Sequence, residues 1–72
     1  MKDKRNSILA SNIKAERNRK NLTQAELAEQ VNICESTISL IERGRQTPSV
    51  FVVHDIARVL NIDINELLKD LR

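Results

Sequence analysis

The apolar residues of this chain recur at three- and four-residue intervals in short runs, and the breaks between runs are spaced as in a bundle of short helices. Five helices are predicted. The first covers about residues 7–21, with Leu9, Ile13 and Arg17 at successive four-residue steps along one stripe, so that an arginine continues an apolar line. The second starts at Thr23, where T-Q-A-E has capping-box spacing, with Glu26 three residues after the cap. Its inner face is Leu27, Ala28 and Val31. After a break at Asn32 and Ile33, a third helix is expected over about residues 35–43, with Ile38, Ile41 and Glu42 on its inner side and Gly44 as a left-handed C-terminal cap. Pro48 either opens the fourth helix at its first position or sits just before a Ser49 cap. That helix is expected to bury Val50, Val53, Ile56, Ala57 and Leu60. Asp63 and Glu66 repeat the capping-box spacing ahead of a short fifth helix that buries Ile64, Leu67, Leu68 and Leu71.

Length and composition narrow the fold to one class. Seventy-two residues suffice for one domain, with a core near the lower limit for folding without disulfides or metal. One glycine, one proline and a single aromatic, Phe51, favour an all-α bundle. The first six residues are expected to form a flexible basic tail and residues 7–72 a single domain. Cys34 is the only cysteine, which rules out an intrachain disulfide and a zinc-binding cysteine cluster and suits a reducing, cytoplasmic compartment. No apolar run is long enough for a membrane span or a secretory signal. One histidine, one cysteine, no glycine-rich phosphate loop and no paired carboxylates leave no catalytic set, so neither an enzyme nor a cofactor is expected. His54 has no ligand partner in the sequence and reads as structural.

The net charge of +2 conceals a segregated distribution. Residues 1–20 hold seven Lys/Arg against two acids, residues 21–42 hold four Glu and no Lys/Arg, and residues 43–72 hold five basic and four acidic side chains. Two short helices joined by a tight break, the second with a polar outer face, make a helix-turn-helix unit over residues 23–43. With Ile38, Ile41 and Glu42 set inward at 100° per residue, Ser36, Leu40 and Arg43 face outward. Ser39 lies at the edge and Glu35 at the exposed N-terminal end. Arg17 and Glu42 both interrupt apolar stripes, and a single buried charge would be very costly, so the two are expected to pair.

These residues carry a resemblance. I-K-A-E-R at 13–17, L-T-Q-A-E-L-A at 22–28, S-T-I-S-L-I-E-R-G at 36–44, T-P-S at 47–49 and L-N-I-D-I-N-E-L-L at 60–68 are together similar to the phage-repressor-like (Xre, or Cro/C1-type) helix-turn-helix regulators. The resemblance implies a compact five-helix, lambda-repressor-like domain that binds double-stranded DNA and regulates transcription, usually as a homodimer on a palindromic operator. By position, Gln24 resembles the glutamine that bonds phosphate and orients a neighbouring base-reading side chain. Glu35, Ser36 and Leu40 fall where the family reads base edges; Arg43, Arg45 and Thr47 fall where it grips backbone; Arg17 and Glu42 match a buried ion pair. With Thr37 and Ser39, the candidate DNA-contact set is Gln24, Glu35, Ser36, Thr37, Ser39, Leu40, Arg43, Arg45 and Thr47. Family dimers meet through the end of the fourth helix and the start of the fifth, here Leu60, Ile62, Ile64 and Leu68.

The chain departs from the family pattern at the turn and on the reading face. Asn32 replaces the usual turn glycine but tolerates the left-handed conformation. Cys34 stands where a Ser/Thr cap is usual, which leaves the third helix prone to fray. Glu35 brings negative charge toward DNA, with an outlet as an acceptor from cytosine N4, and Leu40 can pack on a thymine methyl. The competing function is an antitoxin or adaptor of the same fold, which would bind a toxin or another regulator. The acidic middle segment and Leu40 supply its case, and Phe51, Val52 and Val59 offer further apolar surface. RNA binding is disfavoured because stacking aromatics are absent. No small-molecule ligand is indicated.

Overall fold

A computed structural model describes residues 4–71. Its elements are α1 (Lys4–Arg19), α2 (Gln24–Val31), α3 (Glu35–Glu42), α4 (Val50–Leu60) and α5 (Asn65–Leu68), and no strand occurs among the described residues. The architecture is the all-α, five-helix one expected. Lys4, Arg5 and Asn6, ahead of the predicted start, are already helical rather than part of a tail; residues 1–3, with Lys2, lie outside the described residues.

Local chemistry explains where the helices start. The Thr23 hydroxyl accepts from the Glu26 N–H at 3.0 Å while the Glu26 carboxylate accepts from the Thr23 N–H at 2.8 Å, a complete capping box. Ser49 caps α4 by accepting from the Val52 N–H at 3.1 Å, which places Pro48 just outside the helix. Cys34 makes no side-chain cap bond to α3. The box expected at Asp63 does not form. Its carboxylate instead accepts from the Asn65 N–H at 2.8 Å, two residues on, and Glu66 pairs with Lys69 at 3.9 Å.

The ends of α1 to α4 share one device, which the sequence announces at only two of them. Asn21, Asn32, Gly44 and Asn61 all take left-handed backbone angles, with φ of 59°, 62°, 72° and 56°. Behind each, the next amide closes back to a carbonyl five residues earlier: Leu22 to Arg17 at 3.2 Å, Ile33 to Ala28 at 3.0 Å, Arg45 to Leu40 at 2.9 Å and Ile62 to Ala57 at 3.1 Å. These are Schellman closures, and Leu22, Ile33 and Ile62 complete them by packing on the core. A Cβ at Gly44 would meet Ser7 only at ordinary contact distance, so backbone angle rather than space favours glycine there.

The core gathers Leu9 and Ile13 of α1, Leu27, Ala28 and Val31 of α2, Ile38 and Ile41 of α3, Val53, Ile56, Ala57 and Leu60 of α4, and Leu67 of α5. Two expectations fail at the ends of helices. Val50 is 69% exposed rather than buried, because side chains lean toward the helix N-terminus and the first turn of α4 runs past its packing partners. In the last segment only Leu67 is buried; Ile64 and Leu71 are half-buried and Leu68 is 38% exposed. A four-residue helix turns just one side to the bundle. It is tied there by Asn12, whose amide donates to the carbonyls of Leu67 and Lys69, both at 2.9 Å. None of the described helices is long and apolar enough to cross a membrane.

Candidate nucleic-acid interface

The unit formed by α2, the Asn32 turn and α3 is held rigidly from behind. Ile38 and Ile41 anchor α3 in the core, and Glu42 is buried beside them. On the other side, Glu35, Ser36 and Arg43 are exposed, while Thr37, Ser39 and Leu40 are half-buried. The Arg43 guanidinium folds back along the helix, Nε donating to the Ser39 carbonyl at 3.4 Å, and its head stays at the surface. Arg45 is exposed in the segment after Gly44. Side chains able to accept from bases, pack on methyl groups or neutralise phosphate thus share one face of one helix and the loop that follows it.

Behind that face lies the ion pair. Arg17 Nε donates to Glu42 Oε2 at 2.7 Å and Nη2 to Oε1 at 2.9 Å, a bidentate fork joining α1 to α3. The side chains retain 10% and 2% of their exposure. The third arm of the guanidinium, Nη1, donates to the Leu22 carbonyl at 2.7 Å and so fixes the loop that leads into α2. Hydrogen bonding to Glu42 raises the Arg17 pKa above the ordinary arginine value, with burial acting in the opposite sense and the Glu42 charge adding to the rise.

Besides Arg43, two candidate contact residues have protein partners of their own. The half-buried Gln24 opens α2, and its amide donates to Glu42 Oε1 at 3.1 Å, which makes it the outermost member of the ion-pair network. The Thr47 hydroxyl donates to Asn6 Oδ1 at 2.8 Å, so it staples the loop after α3 to the first turn of α1. Among the four residues expected at a dimer contact, Leu60 is 1% exposed and committed to its own core. Ile62 and Ile64 are half-buried and Leu68 is partly open.

Sequence reasoning passed over Asn12, the Asn6–Thr47 contact and Glu16. The last is buried on α1, with Arg19 at 3.5 Å. Its place three residues after Ile13 on the inner stripe was the available signal. The contact between Asn6 and Thr47 spans 41 positions and leaves no local trace.

A family described as "Helix-turn-helix" matches residues 13–67. The chain is 46% identical over 48 residues to an uncharacterised HTH-type transcriptional regulator of Methanothermobacter thermautotrophicus, covering 67% of this chain and 70% of that one. It is 38% identical over 56 residues to an immunity repressor protein of Bacillus phage phi105, covering 78% of this chain and 39% of the repressor. Its fold is similar to that of the restriction-modification controller protein C.AhdI from Aeromonas hydrophila, with a TM-score of 0.83 at 26% identity over 86% of this chain and 94% of that one.

Proposed function

Because the chain belongs to the helix-turn-helix transcriptional regulators of the Xre, or Cro/C1, type, we propose that it represses transcription as a homodimer on a two-fold DNA site, with α3 lying in the major groove. The observation that carries this reading is the two-sided character of α3. Ile38, Ile41 and Glu42 lock one side to the bundle, while Ser36, Leu40 and Arg43 occupy the other. Glu35, Thr37 and Ser39 complete the reading surface, with Gln24, Arg43 and Arg45 on backbone. Thr47 acts through the loop it holds to Asn6 rather than as a phosphate donor, since its one hydroxyl hydrogen is already committed.

Dimerisation is assigned to Ile62, Ile64 and Leu68, the apolar residues at the α4–α5 end that keep open surface; Leu60 supports them from inside. Selection of bound duplexes from a random pool at physiological salt tests the whole reading. The expected product is a two-fold site with half-site centres about 34 Å apart. Log K should fall with log salt by about 0.9 for each phosphate neutralised. Should Arg43→Glu combined with an enlarged Ser36, in a folded variant, leave occupancy unchanged, the reading is wrong. A second reading, an antitoxin or adaptor, is favoured by Val50 and Phe51, which stand 69% and 78% exposed side by side on α4. A stoichiometric small protein co-purifying from the native host would support it.

A further inference from the structure

We propose that the buried Arg17–Glu42 pair is a positioning device for DNA contact as well as a stabilising one, because it holds the Gln24 side chain in its binding geometry before DNA arrives. The inference rests on the DNA-binding reading above and adds to it the residues that act through another. Glu42 Oε1 takes two donors, Arg17 Nη2 at 2.9 Å and Gln24 Nε2 at 3.1 Å, while Oε2 takes Arg17 Nε at 2.7 Å. One amide hydrogen of Gln24 is therefore committed inward, which leaves the second hydrogen and Oε1 for a phosphate or a neighbouring side chain.

Arg17 contributes twice to this arrangement. Its Nη1 clamps the Leu22 carbonyl at 2.7 Å, two residues before Gln24, so the backbone that carries the glutamine is fixed by the same guanidinium that fixes the carboxylate. It also cancels the Glu42 charge. An uncompensated carboxylate directly behind a phosphate-binding amide would repel the ligand, whereas the neutral pair orients the amide without that penalty. A free glutamine must surrender its rotamer freedom on binding, at a cost that corresponds to about a three- to tenfold loss in affinity. A glutamine already immobilised by Glu42 has met that cost during folding.

The test is a cycle on the operator recovered from the random pool, with folding checked by circular dichroism. The exchange Arg17→Met/Glu42→Leu keeps an apolar packing in place of the pair and should lower operator affinity about three- to tenfold. In a Gln24→Ala background the same exchange should change nothing further. A loss of equal size in both backgrounds, or no loss in either, overturns the inference. A second measurement needs no variant: nitrogen relaxation of the Gln24 side-chain amide in the DNA-free protein should show order close to that of the backbone, unlike the amide of exposed Gln30. Equal mobility of the two amides also overturns it. Arg43→Glu separates the two levels. If that change abolishes binding while the cycle shows no coupling, only the positioning role fails; if it leaves binding untouched, the DNA-binding reading fails with it.

Discussion

Replacing Arg17 by methionine removes a guanidinium whose three arms are all engaged: two on Glu42 at 2.7 and 2.9 Å and one on the Leu22 carbonyl at 2.7 Å. Methionine fills much of the volume, so the loss is electrostatic rather than a cavity. Glu42, with a side chain 2% exposed, is left with the Gln24 amide as its remaining bonded partner. Stranding one member of a buried pair costs about 3–5 kcal/mol, and the orphaned Leu22 carbonyl falls within that range. A domain of this length has roughly 4–10 kcal/mol in total, so the single variant is expected to lose from about a third of its stability to nearly all of it. The companion change Glu42→Leu removes the stranded charge, and the double variant should recover most of the loss. Urea unfolding followed by far-ultraviolet circular dichroism is the suitable assay, because Phe51 is the only aromatic residue and there is no tryptophan to report by fluorescence. A coupling of about 2–4 kcal/mol between the two sites is expected from the cycle. Equal destabilisation of single and double variants would refute the reasoning, since it would mean that the fork contributes through packing alone.

The pair also has a defined pH behaviour. Because the Arg17 pKa is raised on folding, its contribution is complete below the unfolded-state value and lost only as pH rises through the still higher folded one. The Arg17 contribution should therefore persist unchanged from neutral pH to about pH 10, well below any arginine titration, and a decline in that window measured by urea unfolding would contradict it. At the end of α4, Asn61→Ala should cost about 1 kcal/mol while Asn61→Gly should cost nothing or stabilise slightly, because φ of 56° suits glycine and asparagine but not alanine; thermal melts decide it. On the reading face, Glu35→Gln should move the selected base at one operator position from cytosine toward adenine, with discrimination of about 1–3 kcal/mol. An unchanged selected site would remove Glu35 from base recognition.

The parts of this fold that could be read in the sequence are those in which a residue and its partner lie within a turn of each other. Thr23 with Glu26, Asn32 at the turn and Gly44 at the end of α3 all satisfy backbone groups a few positions away, so spacing alone identifies them. The Arg17–Glu42 pair spans 25 positions yet was legible, because each charge interrupts an apolar stripe and each therefore demands the other. What escaped was either terminal or long-range without such a demand. Val50 has the right periodicity and the wrong surroundings. Leu60 obeys the core stripe so well that it has no surface left for a partner. Asn12 and Asn6 are half-buried and Thr47 is exposed, positions where a pattern cannot tell a hydrogen bond to protein from one to water. Gln24 was assigned to phosphate by resemblance, and its inward bond to Glu42 follows only once α2 and α3 are set side by side.

The charge pattern illustrates how sequence segregation and surface potential part company. Four glutamates with no compensating base run through residues 21–42, yet the fold engages two of them, one within its own turn and one across the bundle. Glu26 turns back to the N-terminus of α2, where it accepts from Thr23 and faces the positive end of the helix dipole. Glu42 is neutralised by an arginine that the basic first helix delivers across the bundle. Of the four, Glu29 and Glu35 remain exposed without a role in the framework, and Arg43 and Arg45 stand at and just beyond the C-terminal end of α3. The potential that a duplex meets is therefore set by which charges the core has already consumed. A segment that is strongly acidic by count can then carry a helix into a polyanion, provided its phosphate contacts come from the flanks and its base contacts from the few uncommitted side chains between them.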